Sequence, residues 1–400
     1  MGRGGNRRPL SGGGGLLLGA MLVDKLYALS LSHKRLSVDE LSEISRNVHK
    51  TCYNVQAFVF HTCNRVEVYL YDADAGPAEH IKRSYGPYVE KVAEFRGVEA
   101  ARHLFRVAAG LESMLIGETD VLGQLEEAYE SQVRRGNLRG LLKTVVERAV
   151  AVGKRVRTET GISRGPRGLG SLSIVYLSRR LPLREISVCV IGAGAVGRGV
   201  VKELIDAGVR RVAVVNRTVE KAADLGVEVR PLTSENVEWC LREFDVVYTA
   251  VSSFEPVVVY VPPGSRVKLV VDLGVPRNTA PNLPVEVVTL DHLRELAEEF
   301  NRQRAEEVSK AEKIVEEEVA RLEEVLRRRW VELEMSALLK KWFAVAEEEG
   351  ERAGGGPARL AAMSTVKRTL LPLVNYIKEV AVKDLAVAEG LLQVLKSAYA

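Results

Sequence analysis

The stretch Val188-Cys189-Val190-Ile191-Gly192-Ala193-Gly194-Ala195-Val196-Gly197 decides the fold. Four apolar, mostly β-branched residues run straight into a G-x-G-x-x-G turn, and a helical pattern follows as far as Gly208. The glycines permit the tight turn and let backbone N–H groups and the helix N-terminus meet a pyrophosphate. Taken alone the spacing is a weak signal. In its strand–turn–helix–strand context it reads as a dinucleotide site made by Gly192, Ala193, Gly194, Ala195, Val196 and Gly197. The second strand ends Asn216-Arg217-Thr218, with no Asp or Glu to bind a ribose 2′-hydroxyl. Arg217 attracts a 2′-phosphate and Thr218 donates to it, so NADP(H) is expected.

Outward from that unit, strands at Val212–Val215, Val227–Val229, Val246–Thr249, Leu269–Leu273 and Val285–Leu290 alternate with helical segments. Such alternation predicts a doubly wound parallel sheet. Upstream, residues 161–170 hold four Gly and one Pro, a linker composition. Before the linker, Met21 opens a strand that continues through Leu26–Ser32, and Ser37-Val38-Asp39-Glu40 has capping-box spacing. Gln56–Cys63 and Val66–Tyr71 are β-rich runs parted by a turn at Asn64-Arg65, and a helical pattern runs from Val98 to Thr158. Downstream, the 65 residues from Val285 to Glu349 contain neither Gly nor Pro, and Val308, Val315, Val319, Leu322 and Leu326 recur at helical spacing. A helix of about 40 residues, roughly 60 Å long, is expected there. The remainder is helical apart from residues 350–356.

Composition narrows the function classes. Lys+Arg 57 against Asp+Glu 53 leaves a net charge of +4, of which Arg3, Arg7 and Arg8 supply three, so the protein is not basic overall. Hydrophobic residues at 46% and charged residues at 28% exclude a disordered or collagen-like chain. No apolar run is long enough to span a bilayer. Eight of the first 20 residues are Gly, which reads as a disordered leader before a cytosolic chain. Cys52, Cys63, Cys189 and Cys240 form no C-x-x-C pair, so neither a disulfide framework nor a zinc site is expected.

Cys63 stands out in Phe60-His61-Thr62-Cys63-Asn64-Arg65. At a strand end, beside two side-chain donors and a cation, a thiol can ionise and attack a carbonyl. On spacing alone it reads equally well as a buried structural Cys, as Cys189 and Cys240 do. Gly110 to Gln124 brings two helices together at Gly117 and puts Asp120 and Gln124 on one helical face. His33, His49 and His80 lie in polar segments and read as solvated, while His61, two residues before Cys63, shares its strand face. No His pair has metal-ligand spacing, so no metal is expected. From Arg134 to Arg184 there are 13 Lys/Arg against Glu147 and Glu159, a local charge of +11 that suits a phosphate-rich partner.

Thr62-Cys63-Asn64-Arg65, then Gly110 to Gln124, then Arg155-Val156-Arg157-Thr158-Glu159-Thr160, resemble glutamyl-tRNA reductase in order and spacing. The Gly192 turn and Val271-Asp272-Leu273-Gly274-Val275-Pro276-Arg277 extend the match, which runs from Met21 to the C-terminus. The resemblance implies that Cys63 is the nucleophile toward the ester joining glutamate to tRNA(Glu). It implies that Thr62, Asn64 and Arg65 hold the glutamyl group, with Ser113, Glu118, Thr119, Asp120 and Gln124 as further substrate-binding positions. His103 matches a His that matters for activity. Ser is usual at His61 and Gln at Asp120.

The implied architecture is an α/β multidomain chain: leader 1–20, α+β catalytic domain 21–163, Rossmann-type NADPH-binding domain 164–290, connecting helix 291–330 and helical dimerisation domain 331–400. The implied activity is NADPH-dependent reduction of glutamyl-tRNA(Glu) to glutamate-1-semialdehyde through a cysteine thioester, at the start of tetrapyrrole biosynthesis. A homodimer, a glutamate-1-semialdehyde aminomutase partner and no membrane contact go with it. The rival readings are another Cys-dependent Rossmann oxidoreductase and a nucleotide-sensing RNA-binding regulator.

Overall fold

Residues 21–398 are described by the computed structural model, except 33, 34, 37, 54, 63, 73, 74, 252, 254 and 275. The leader expected at 1–20, and Cys63, therefore lie outside the described residues. The chain forms two units: residues 25–322, and residues 323–400 with the segment that precedes Lys25.

The larger unit begins with β1 (Leu26–Ser32), α1 (Val38–Cys52), β2 (Ala57–Thr62), β3 (Arg65–Tyr71), α2 (Ala75–Arg83), β4 (Ala93–Arg96), α3 (Gly97–Ala108), α4 (Asp120–Arg134) and α5 (Gly140–Glu159). The strand starts at Leu26, after a short 3₁₀ turn over Leu22–Lys25, rather than at Met21. The strands form an antiparallel sheet in the order β2-β3-β1-β4. Pleat alternation sends Leu29, Leu31, Val59, Val66 and Val68 into one core with Leu41, Ile44 and Val48 of α1. On the other face, β3 presents Arg65, Glu67 and Tyr69, each at most 2% exposed. Glu67 accepts hydrogen bonds from Arg65 Nη1 (3.1 Å), Ser30 Oγ (2.9 Å) and Tyr69 Oη (2.6 Å), and pairs with His103 Nε2 at 2.9 Å. A buried carboxylate is tolerated only when so satisfied.

The second half carries α6 (Leu169–Ser178), β5 (Ser187–Ile191), α7 (Ala195–Asp206), β6 (Arg211–Asn216), β7 (Glu228–Pro231), α8 (Ser234–Glu243), β8 (Val246–Thr249), β9 (Leu269–Asp272) and β10 (Glu286–Val288). All six strands are parallel, in the order β10-β9-β8-β5-β6-β7. This is the doubly wound arrangement whose order reverses beside β5, and the α/β multidomain class expected from the sequence holds. One expectation fails. Cys189 of β5 and Cys240 of α8 are joined as a disulfide, their Cα atoms 5.6 Å apart. Fifty-one residues separate them, and only the packing of α8 on the sheet brings them together.

The expected connecting helix is two helices, α9 (Leu290–Gln303) and α10 (Ala305–Arg352), with a break at Arg304. The cause is visible in the polar contacts. Buried Arg304 donates to the carbonyls of Ile116, Arg164 (2.7 Å) and Pro166 (2.7 Å), while Asn301 Nδ2 donates to Met114 O at 2.9 Å. α10 then runs 48 residues without interruption. Its first turns aim Glu312, Glu316, Glu317 and Glu318 at Arg106, Arg102, Arg155 and Arg148.

Those pairs also correct the reading of residues 134–184 as an open phosphate-binding run. Arg134, Lys143, Arg148, Lys154, Arg155, Arg179 and Arg180 all have carboxylate partners. Arg157 turns inward to the carbonyls of Ala108, Gly153 and Glu118. In the smaller unit, α11 (Gly356–Lys383) and α12 (Leu385–Ala398) pack Val374, Ile377, Ala381, Ala388 and Leu392 against Val331 and Met335 of α10.

Burial opposes ionisation of Glu67, but the charges of His103 and Arg65 outweigh it and hold its pKa at about 2, below the usual 4.5. A depressed carboxylate contributes stability above its unfolded value and loses it as pH falls through its folded one. Unfolding free energy is therefore expected to drop by about 3 kcal/mol between pH 4.5 and pH 2 through this group. Glu67→Gln should flatten that slope. It should also cost about 3–5 kcal/mol at neutral pH, because Arg65 stays buried without its counter-ion. Urea unfolding at several pH values checks both; equal stability of the two proteins at pH 7 contradicts the assignment.

Candidate active site

The nucleotide turn shows why its three glycines are needed. Gly192 has φ +102°, and a Cβ there would sit 2.5 Å from Ala250 O. A Cβ on Gly197 would meet Gly192 O at 1.9 Å, so α7 can pack against the turn only without one. A Cβ on Gly194 would meet nothing within 4 Å, which leaves the helix N-terminus open to a ligand. Asn216, at the end of β6, accepts the Ala193 N–H at 3.0 Å and donates to Thr218 O at 2.7 Å, and so fixes the turn's outer rim. Next to it Arg217 and Thr218 are exposed, and Arg217 forms no ion pair among the described residues. Open backbone at Gly194 and a free guanidinium beyond β6 fit a dinucleotide with a 2′-phosphate.

The hairpin between β2 and β3 closes where Thr62 pairs with Arg65, and Asn64 donates its N–H to Thr62 Oγ1 at 3.1 Å. Thr62 and Asn64, the two neighbours of Cys63 in the chain, line a cavity of about 290 Å³ with Glu118, Thr119, Asp120 and Gln124. The far wall is Ala195 and Val196, with Gly199 and Glu203 of α7 behind them. Two motifs about 130 residues apart in sequence thus meet in one space.

Burial shapes the electrostatics of the cavity's carboxyls. Burial raises the pKa of Glu118, and burial raises Asp120 too, although Asp120 still reaches solvent at the rim. Both carboxyls are therefore easier to protonate than usual.

Three expected site residues lie elsewhere. Arg65 is spent on Glu67 and on the carbonyl of Glu112, to which its Nη2 donates at 2.8 Å. Ser113, the next residue, is buried and its Oγ has no partner of hydrogen-bond geometry. His103 stacks on Phe95 with ring centroids 4.3 Å apart and lines a different cavity with Ser30, Ser32 and Glu112. His49, read as solvated, is instead bonded to His61, its Nε2 2.8 Å from His61 Nδ1.

Sequence reasoning missed Arg167, Gly168 and Ser171, which line the first cavity and belong to the segment read as linker. A Cβ on Gly168 would stand 2.6 Å from Asp120 Oδ2, so that glycine serves close packing. Arg167 is the one cation among the residues lining this cavity, and it forms no ion pair among the described residues. Glu67 was missed as well, although its place between Arg65 and Tyr69 on one strand face was a readable signal. No cluster of three metal-ligating side chains occurs among the described residues, and no described helix is long and apolar enough to cross a membrane.

Comparison with known proteins bears on all of this. Residues 29–160 match the family model "Glutamyl-tRNAGlu reductase, N-terminal domain", and residues 177–298 match "Shikimate / quinate 5-dehydrogenase". Glutamyl-tRNA reductase 1 of Pyrobaculum arsenaticum is 64% identical over 380 residues, covering 94% of this chain and 98% of that protein. Glutamyl-tRNA reductase of Pyrobaculum neutrophilum is 55% identical over 90% of this chain and 94% of its own. The solved glutamyl-tRNA reductase of Methanopyrus kandleri aligns with a TM-score of 0.48 at 32% identity, over 92% of this chain and 98% of that one. With nearly two residues in three shared along almost its whole length, the chain belongs to the glutamyl-tRNA reductase family.

Proposed function

We propose that the protein reduces glutamyl-tRNA(Glu) to glutamate-1-semialdehyde with NADPH, through a thioester on Cys63. The observation that supports this is the cavity lined at once by Thr62 and Asn64, which flank Cys63, and by Ala195 and Val196 of the nucleotide turn. Cys63 Sγ attacks the ester carbonyl; the C–S bond forms as the C–O bond to the tRNA ribose breaks, and the ribose oxygen takes up the proton that the thiol gives up. NADPH held at the Gly192–Gly197 turn, with Arg217 toward its 2′-phosphate, would supply the hydride that reduces the thioester carbon. The hemithioacetal anion so formed would expel the Cys63 thiolate, which breaks the C–S bond and frees the aldehyde.

Around that carbon, Thr62, Asn64, Thr119 and Gln124 offer hydrogen bonds to the glutamyl group. Arg167, the cation among the described residues lining the cavity, binds its carboxylate, the role that the resemblance implied for Arg65. Arg65 holds the site from behind, through Glu67 and the carbonyl before Ser113. Glu118 and Asp120 line the same space and offer carboxylate oxygens to the substrate's ammonium. Glu67 orients His103 as a carboxylate orients the base of a catalytic triad, and His103, which lines the neighbouring cavity, acts on the site as a positioning residue through Glu67 and Arg65. The ligand tRNA(Glu) and a glutamate-1-semialdehyde aminomutase that takes up the labile product complete the proposed partners.

A homodimer follows from the smaller unit. Met21, Val345, Leu360, Leu371, Tyr376, Val387, Leu391 and Val394 are exposed there, eight of the twelve large exposed hydrophobics among the described residues. Val387, Leu391 and Val394 make a stripe along α12, and a second copy would cover it.

Cys63→Ser should abolish reduction and leave NADPH binding intact, because a hydroxyl is a far poorer nucleophile than a thiolate. Reductase turnover in the purified variant near the wild-type rate would sink the mechanism. Arg217→Asp should lower the ratio of kcat/KM for NADPH over NADH by about a hundredfold, the scale of one charge-assisted pair turned repulsive; an unchanged ratio places the adenosine ribose elsewhere. Val387→Glu with Val394→Glu should convert a dimer into a monomer by light scattering while NADPH binding persists. A dimer that survives both changes assigns assembly to another surface.

A further inference from the structure

A second cavity, of about 440 Å³, lies on the other side of the hairpin strand. Ala57, Val59 and His61 reach it from β2, turned by alternation away from the face of Thr62. Its opposite wall is α4, with Ala128, Ser131 and Arg135, and His49 and Tyr53 close it from the end of α1.

Two features set it apart. The first is charge: no Asp or Glu lines it, whereas Glu118, Asp120 and Glu203 line the active-site cavity and Glu99 and Glu112 line the one beside His103. Arg135 is exposed there and forms no ion pair among the described residues. The second is aromatic surface. The rings of His49 and His61 stand perpendicular with centroids 4.6 Å apart, and Tyr53 is 71% exposed. Burial lowers the pKa of both imidazoles, which favours neutral rings for stacking. Cys52 is the thiol here, and burial pushes its pKa up to about 12, so it contributes bulk and no nucleophile.

We propose that this cavity receives the 3′-terminal adenosine of the aminoacyl-tRNA. The inference rests on the reductase reading. An aminoacyl ester joins the amino acid directly to the terminal ribose, so the nucleoside must lie within one sugar's length of the carbonyl that Cys63 attacks. The active-site cavity, at about 290 Å³, is taken by the glutamyl group and the nicotinamide end. His61 is two residues before Cys63 and faces the other space. Unpaired RNA ends are recognised by stacking on His, Tyr or Arg planes and by hydrogen bonds to base edges. His61, Tyr53 and Arg135 provide the planes; Ser131 and the Oδ1 of Asn137, whose Nδ2 donates to Tyr53 O at 2.7 Å, provide the hydrogen bonds. The Gln132 amide is unavailable, because it donates to Val59 O and accepts Val59 N–H, both at 2.8 Å, which holds the cavity wall open. The preceding phosphates then run toward Arg135 and exposed Arg139.

The test compares glutamyl-tRNA(Glu) with a glutamate thiophenyl ester, which carries no nucleoside, in single-turnover acylation of Cys63 and in steady-state reduction. Ala128→Phe, which fills the cavity, should raise KM for glutamyl-tRNA at least about tenfold more than for the small ester. Arg135→Ala should do so more weakly, with recovery in Arg135→Lys. A CCA trinucleotide should compete with glutamyl-tRNA in the wild type and lose that effect in Ala128→Phe. Equal effects on both substrates, or no competition by CCA with a wild type that both substrates acylate, overturn the subsite and leave the reductase reading intact. A wild type that forms no Cys63 adduct with either substrate overturns both.

Discussion

The carboxylate of Glu67 ties the catalytic half together. Four side chains from three elements converge on it: Arg65 and Tyr69 from β3, Ser30 from β1 and His103 from α3. Each group would be costly to bury alone, and the carboxylate most of all. Together they satisfy one another. The consequence reaches beyond the sheet, since Arg65 also holds the carbonyl of Glu112. The start of β3, the orientation of His103 and the path of the chain into Ser113 are therefore set by one buried charge. Arg65 is thus a poor candidate for direct contact with substrate, despite lying two residues after Cys63.

Charge is also where the sequence misled most. A surplus of +11 over residues 134–184 is real as arithmetic, but arithmetic along a chain ignores what folds against it. Glu317 and Glu318 of α10 answer Arg155 and Arg148 from more than 150 residues away, and Glu299 of α9 answers Arg179. The Gly- and Pro-free helix read as a connector uses one acidic edge to neutralise a basic face. What survives for a polyanion is a smaller set, including Arg135 and Arg139.

Local rules recovered what local physics determines. Gly192, Gly194 and Gly197 could be read because each is demanded by the turn itself, and Asn216-Arg217-Thr218 because it ends the next strand. The alternating strands gave the parallel sheet for the same reason. Contacts between distant segments left no such trace. The break at Arg304 follows from three carbonyls that only tertiary structure delivers to it, while the surrounding sequence is uniformly helix-forming. Cys189 and Cys240 look like two unrelated buried thiols until β5 and α8 are packed. The pairing of His61 with His49 depends on how α1 lies over β2.

The segment 161–170 shows how composition can mislead in the other direction. Its four glycines suggest slack between domains, yet a Cβ on Gly161 would approach Arg164 and Glu307 at 3.1 Å, and one on Gly168 would strike Asp120. Gly170 lies against Val200 of α7, where a Cβ would be 3.4 Å from its backbone nitrogen. Small residues are there because two surfaces close over them. Arg304 adds the constraint from the opposite side by taking the carbonyls of Arg164 and Pro166. A connection clamped at both ends can carry functional groups at fixed positions, which a slack tether cannot. That is why Arg167 and Ser171 line the cavity between the hairpin and the nucleotide turn. The proposed reaction asks for a carbonyl held near a thiol on one side and near a hydride donor on the other. Joining the two halves through a packed wall would keep that distance short.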